Sequence, residues 1–542
     1  MKRFLSSTTT LARCEFVVAI VLTLALIGFH IVFMFHAGPL WRDEISSLTL
    51  ATKPTLSESW HSLKFDPFPA FYFFLLRGWN AVGFGHSDLG LRFLGLLIGV
   101  SLIVALWIAS YLSDESPPLW PLALCALNPL TLEAGDSLRP YGIGLIWIVL
   151  AFGFVARILF GGPTKTIGLC TLFAAVLSVQ SNFTNALMFF SIGTGAIVVL
   201  LTKRAWSKIF IILGIGAVAA ISLIPYLPIL SGTSDWSKIL AGKNDIASVS
   251  SVARDAIANS GAVAEWTWLT LICAIIIFAI FVTLIRNPSA ADFLRDRSIF
   301  GAIVLVLAAA SMVGFLCAAK YLVFPRYFLA VPAIGALCIN IFWNAIPNQI
   351  AIRTLGFCLA LIVAITSLRP LSERARMRMT NCDEITATLE QRATASDFII
   401  VTSPLYGISF QRYYHGQTNW TTLPPIGDLT LHRWDLVKQA MTQPDPVPEL
   451  VSRAQIVLQG HKVFLVGKLG PAPATEHEPL APAPQSQFAW QMEAYTGQWK
   501  SELTYWFEHH ALHGTNLPVD ENALVSPLEQ LGLFEISGLR EP

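Results

Sequence analysis

The chain has 542 residues, of which 54% are hydrophobic and only 13% charged, with a formal net charge of +1. A water-soluble protein of this size carries nearer a quarter charged residues, so the balance excludes an ordinary globular enzyme and implies a polytopic membrane protein. No basic block accompanies the small net charge, so nothing in the composition calls for nucleic acid.

The first apolar run, 16–36, has no Asp, Glu, Lys or Arg from Phe16 to Phe35 and is long enough to cross a bilayer. It is too long, and too poorly followed by a small-residue cleavage site, to be a secretory signal, and reads as a retained anchor. Trp41-Arg42-Asp43-Glu44 stand just beyond it. Two adjacent carboxylates beside an Arg are costly to hold near hydrocarbon unless they are used. Their plain alternative is to mark the water boundary. General-base catalysis is the chemistry that suits Asp43 and Glu44. A divalent metal is the competing use, and His61 and Asp66 could contribute ligands to it, but no ligand cluster at metal spacing accompanies the pair. The expectation is therefore no cofactor and no metal site.

The first outer loop, about 37–88, contains Asp66-Pro67-Phe68-Pro69, whose prolines stiffen the entry to the aromatic segment behind them. That segment, 68–84, is short, rich in aromatic residues and carries Arg77, which suits a helix lying in the membrane interface. Further spans read at about 89–112, 118–135, 140–160, 166–182, 184–201, 208–230, 265–285, 298–318, 322–344 and 350–368, about eleven in all with the first. The positive-inside rule places Lys2, Arg3 and Arg13 in the cytoplasm, followed by turns at Arg157 with Lys165, at Lys203-Arg204 with Lys208, and at Arg286 with Arg295 and Arg297. Arg353 marks the last turn more weakly. The odd span count then puts everything after about 369 outside. The expected localisation is multi-pass in the inner (plasma) membrane, with a cytoplasmic N-terminus and a periplasmic or extracytoplasmic tail.

Two outer turns carry chemistry. Asp136-Ser137-Leu138-Arg139-Pro140-Tyr141 places Arg139 at the start of a helix, where the dipole favours anions and a guanidinium can grip a phosphate. The alternative there is a local Asp136–Arg139 cap. Lys320-Tyr321-Leu322-Val323-Phe324-Pro325-Arg326-Tyr327 is a second cationic turn, whose Lys320, Arg326 and Tyr327 would also suit a plain interfacial belt. The third outer loop, 231–264, offers Asp235, Trp236 and Lys238 for sugar contact or simply for the interface.

The tail, 370–542, loses the long apolar runs. Asp397–Thr402 and Lys462–Val466 read as buried strands, with helical patterns at 383–394 and 432–459 and a Pro-Ala loop over 470–487. The alternation predicts a small α/β domain after a membrane domain spanning 1–369. Of the eight cysteines only Cys382 lies in this tail, so no disulfide framework or metal spacing can be built.

Taken together, an outward acid pair (Asp43, Glu44), a further acid (Asp66) and turns bearing Arg139, Lys320 and Arg326 lie on one membrane face. Transfer from a lipid-linked phosphate requires this set: cations for the leaving phosphate and a carboxylate to deprotonate the acceptor.

The motifs Trp41-Arg42-Asp43-Glu44, Asp66-Pro67-Phe68-Pro69-Ala70-Phe71-Tyr72, Phe84-Gly85-His86-Ser87-Asp88-Leu89-Gly90-Leu91-Arg92-Phe93, Asn128-Pro129, Arg139-Pro140-Tyr141 and Pro325-Arg326-Tyr327-Phe328-Leu329 occur in this order over 16–345. In that order the chain resembles the GT-C membrane glycosyltransferases. It looks most like the branch of protein O-mannosyltransferases and lipid A aminoarabinose transferases, which use polyprenyl-phosphate sugars. The resemblance implies Asp43 as base, helices lying on the membrane in the first loop, and a polyprenyl-phosphate-linked sugar as donor. It leaves the acceptor open among lipid, polysaccharide and protein. Substrate contacts are then expected from Asp66, Asp136, Arg139, Tyr141, Lys320, Arg326 and Tyr327. The chain departs from relatives in having Phe68-Pro69-Ala70 where many have His-Pro-Pro. It also has Ser137 where many carry Glu, which puts Asp136 in doubt as an equivalent. A flippase of lipid-linked sugars and a non-catalytic lipid-binding relative are the rival readings; no internal repeat favours the former.

Overall fold

Apolar composition decides most of the chain. A computed structural model describes residues 10–242, 244–284, 292–346, 350–475, 478–486, 489–519 and 524–540. Lys2, Arg3, Arg286 and part of the 470–487 loop lie outside these. Eight helices among the described residues are long and apolar enough to cross a membrane: Thr10–His36, Asp88–Asp114, Tyr141–Phe160, Asn185–Thr202, the run Trp206–Asp235, Ala262–Val282, Phe293–Ala319 and Ala351–Ala375. Lys165–Ser181 and Ala330–Ala345 are apolar but shorter. The protein is multi-pass.

Two expected spans differ in detail. The stretch 118–135 is broken into Leu119–Pro121, a π-turn at Leu122–Ala126, and Pro129–Asp136. Pro129 has no N–H to continue a helix, and the Asn128 side chain caps the new start by accepting the Leu130 N–H at 2.9 Å. Its amide donates to the Ala256 carbonyl at 2.8 Å, and Asn128 is buried. Irregular backbone at membrane depth is tolerated only when covered by protein in this way. The stretch 322–344 starts its helix late, at Ala330, because Phe324-Pro325 opens a 3₁₀ turn over Pro325–Phe328. The segment 68–84 forms an 11-residue helix, Phe71–Ala81, about 16 Å long and half of what a bilayer needs.

The chain falls into two units, Met1–Phe35, Phe68–Leu227 and Lys243–Arg376 in the first, and His36–Pro67, Pro228–Gly242 and Met377–Pro542 in the second. The second unit thus takes in two segments from earlier in the chain besides the tail.

In the first unit the charges sort by helix end. Arg157 lies 3.9 Å from Glu115, the Lys208 ammonium donates to the Leu159 carbonyl at 3.2 Å, Lys203 pairs with Asp296, and the Arg297 guanidinium sits 4.3 Å over the Phe160 ring. These are the turns expected to share one face.

The second unit is an α/β domain around a five-stranded sheet, ordered β2-β1-β3-β5-β4. The strands are β1 (Phe398–Val401), β2 (Asn419–Thr422), β3 (Lys462–Gly467), β4 (Ala511–Asn516) and β5 (Gly532–Leu539). β1 runs parallel to β2 and β3, and β5 is antiparallel to β3 and β4. β1 and β3 are the two strands read from the sequence. Beyond Lys462 at the start of β3 they carry no polar side chain, because both faces are covered: Phe398, Ile400, Val463 and Leu465 enter one core, and Ile399, Val401, Phe464 and Val466 the other. Helix Cys382–Arg392 matches the pattern at 383–394, whereas 432–459 is two helices, Trp434–Met441 and Val447–Val457. Pro444 and Pro446 interrupt the run.

Candidate functional site

The candidate residues divide between the units. Asp43, Glu44 and Asp66 belong to the second; Asp136, Arg139, Tyr141, Lys320, Arg326 and Tyr327 belong to the first.

In the second unit Arg42 opens the helix Arg42–Ala51, with Trp41 extended as its cap. Glu44 is 0% exposed and its carboxylate accepts the Trp41 N–H at 3.3 Å. A glutamate at the third helical position reaching back to the cap residue is one half of a capping box. Glu44 therefore has a structural task. Asp43 is 9% exposed, and its Oδ1 lies 3.2 Å from His432 Nε2 and 3.8 Å from Arg42 Nε.

Arg42 is itself held from the tail. Its Nη1 donates to the Leu528 carbonyl at 2.7 Å and to Glu529 at 3.2 Å, and its backbone N–H donates to the same Glu529 oxygen at 3.1 Å. The Ser409 hydroxyl donates to the other Glu529 oxygen at 2.5 Å. The Leu40 N–H donates to the Tyr413 hydroxyl at 2.7 Å, and the Met379 N–H to the Ala37 carbonyl at 2.8 Å. Burial pushes the Glu529 carboxyl above its usual range, against the opposing pull of Arg42 and Ser409. Asp66 is buried at the end of the 3₁₀ turn Leu63–Phe65, where its N–H donates to the Leu63 carbonyl at 3.1 Å.

The loop that carries His432 has its own clamp. Arg433 pairs with Asp428 and with Asp435, the latter at 2.8 Å, and lies 5.2 Å over the Phe65 ring. Burial alone would raise both carboxyls. For Asp428 the hydrogen bonds from Thr430 and Arg433 outweigh it, and for Asp435 those from Arg433 and the backbone, so both sit below the usual range. A depressed folded pKa stabilises above the unfolded value and is lost as pH falls through the folded one. The clamp is thus expected to be complete above about pH 4 and to open below it. Trp434 fluorescence should report a reversible change in that window that is absent in Arg433→Met.

Trp236, offered by the sequence for sugar contact or for the interface, is buried and stacked on Trp434 at 6.1 Å.

In the first unit three of the expected residues meet. Tyr141, Arg326 and Tyr327 line a shallow cleft with Leu145, Asn182 and Asn185. Tyr141 and Tyr327 stack at 6.4 Å, and Phe68 meets Tyr141 edge-on at 5.4 Å. Guanidiniums flank this aromatic row: Arg139 lies 5.0 Å over Phe68, and Arg326 lies 5.9 Å over Tyr327 and 4.4 Å over Phe324. Cations over ring faces keep their charge while shedding water, so the row presents dehydrated positive charge suited to a phosphate. Phe68, which the sequence singled out only as a departure, is the ring between Arg139 and Tyr141. Asn182 and Asn185 carry no local signal. Asn185 is buried and donates to the Gly144 carbonyl at 3.0 Å.

Two expected residues fall outside this group. Asp136 pairs with His30 Nδ1 at 2.7 Å, with Arg92 acting on the same carboxylate, rather than with Arg139. A Cβ at Gly99 would lie 2.3 Å from the Asp136 carboxylate and 2.4 Å from His30 Nδ1, so this glycine makes room for the pair. Asp136 therefore ties the first helix to the 136–141 turn. Lys320 is exposed at φ +54°, where its N–H closes the preceding helix on the Leu316 carbonyl. It does not line the cleft.

Among the described residues no three His, Cys, Asp or Glu side chains gather as a metal-holding group.

No protein-family description matches the chain, and no curated protein matches it either. Solved structures do. ArnT from Cupriavidus metallidurans in the apo state is 12% identical over 82% of this chain and 92% of its own, with a TM-score of 0.51. The same protein bound to undecaprenyl phosphate is 12% identical over 85% and 93%, with a TM-score of 0.49. The Archaeoglobus fulgidus oligosaccharyltransferase in complex with zinc and sulfate is 11% identical over 96% and 73%, with a TM-score of 0.48. At such identities the likeness is one of fold alone: this multi-pass membrane protein shares the fold of apo ArnT.

Proposed function

We propose that the protein is a membrane glycosyltransferase that moves a sugar from a polyprenyl-phosphate donor to an acceptor hydroxyl on the outer face, with inversion. The Arg139–Phe68–Tyr141–Tyr327–Arg326 row is the observation that carries the donor half of this reading, because flanking guanidiniums suit a phosphate. The fold, shared with an aminoarabinose transferase, is a scaffold on which such chemistry is found. Asp43 removes the acceptor proton as the hydroxyl oxygen bonds to the anomeric carbon. The bond from that carbon to the phosphate oxygen breaks, and its electrons leave with polyprenyl phosphate. Arg139 and Arg326 stabilise the charge that develops there.

The purified protein in nanodiscs, given undecaprenyl phosphates carrying different radiolabelled sugars, is expected to release undecaprenyl phosphate and move label to an acceptor from at least one of them. Arg326→Ala should weaken binding of undecaprenyl phosphate by about 10- to 100-fold, the range of one charge-assisted contact. Unchanged affinity in that variant, measured by competition against the donor, would remove Arg326 from the phosphate site.

A further inference from the structure

We infer that His432, in the tail and 389 residues beyond Asp43 in the chain, is a positioning residue for the Asp43 carboxylate in sugar transfer. The inference rests on the reading of Asp43 as the base. His432 is 7% exposed, and its Nε2 lies 3.2 Å from Asp43 Oδ1. Nδ1 is buried and has no hydrogen-bond partner among the described residues. With no acceptor near Nδ1, the ring proton belongs on Nε2, where Asp43 accepts it.

The rest of the ring is held without polar contacts. The imidazole stacks on Trp434 at 5.2 Å and 10°. Stacking fixes the ring plane, and the Arg433 clamp on Asp428 and Asp435 fixes the backbone beside it. Burying a lone pair without a partner is unfavourable, so a histidine kept only for packing would be replaced by an apolar side chain at a gain. Among the described residues, the hydrogen-bonding contact of its ring is the one to Asp43.

That bond does what Arg42 does not. Arg42 is engaged by Glu529 and the Leu528 carbonyl and approaches Asp43 only to 3.8 Å. A second close cation would strip the carboxylate of its affinity for a proton. The Nε2–H of His432 instead sets the plane of the carboxylate through one directed hydrogen bond, the role that outer-sphere partners play at other preorganised sites.

The test uses the full chain and the labelled undecaprenyl-phosphate sugar on which the wild type is active. His432→Leu is expected to lower kcat by about 10- to 100-fold with the donor KM unchanged. His432→Gln, whose amide N–H reaches about as far as Nε2, should recover most of the rate. In an Asp43→Asn background His432→Leu should add no further loss, since the two act as one unit. Wild-type kcat in His432→Leu, equal losses in the Leu and Gln variants, or full additivity with Asp43→Asn would each overturn the inference. Should His432→Leu fail to fold, Gln against Asn decides: the shorter Asn amide falls short of Asp43 and must be the slower. Wild-type rates in Asp43→Asn would instead sink the base reading itself, whereas an inactive Asp43→Asn beside an unaffected His432→Leu would sink only this inference.

Discussion

Asp43→Asn is expected to reduce turnover of sugar transfer by about 10²- to 10⁴-fold, the contribution of a positioned general base, while leaving the protein folded. Asn is nearly isosteric and keeps an oxygen that can accept from His432 at the 3.2 Å position. It cannot take a proton. The donor phosphate is proposed to lie on other groups, Arg139 and Arg326, so the donor KM should change little and the loss should fall on kcat. Thermal unfolding of the variant close to wild type, together with inactive transfer from the labelled donor, is the required pair of results. Turnover within tenfold of wild type would show that Asp43 is not the base.

Glu529→Ala should destabilise the second unit by about 3–5 kcal/mol, the usual consequence of removing one partner of a buried ion pair. Glu529 is 0% exposed and accepts from the Arg42 backbone, the Arg42 guanidinium and the Ser409 hydroxyl. Its loss leaves the guanidinium with the Leu528 carbonyl and, as its anion, only the more distant Asp43 carboxylate at 3.8 Å. Denaturant unfolding followed by tryptophan fluorescence measures the change, and a loss under about 1 kcal/mol would show that the Leu528 carbonyl alone suffices. Glu529→Gln should cost less and should change the pH dependence. A carboxyl raised in the folded state contributes stability that is fully present below its unfolded pKa, about 4.3, and lost as pH rises through the folded value. That slope should be absent in the Gln variant.

The partners of the Trp41-Arg42-Asp43-Glu44 motif explain why its role was only half legible. The motif itself stands out in sequence because charge after an apolar run is costly. Its holders do not. Glu529 and His432 sit in ordinary polar stretches, with no periodicity or spacing to link them to residues some 390 to 490 positions earlier. The edge strands β2 and β4, and β5 beside β4, were silent for a related reason. β4 is largely exposed and polar, and its place depends on pairing with β5 rather than on an apolar pattern of its own. Asp136 shows the reverse error, in that neighbours in sequence suggested a cap with Arg139, and a histidine on the first helix took the carboxylate instead.

By itself the sequence determined that the chain crosses a membrane many times and ends in an α/β domain. It also determined the two central strands, and that acids and cations collect in particular turns. Those properties come from local composition and from the period of apolar residues, which any stretch carries within itself. Only the tertiary structure decided which charges act together: Asp43 with His432 and Arg42, Arg42 with Glu529, Arg139 and Arg326 along one aromatic row, and Asp136 with His30. Hydrogen bonds and ion pairs reach only a few ångströms, so their partners are chosen by how distant segments pack.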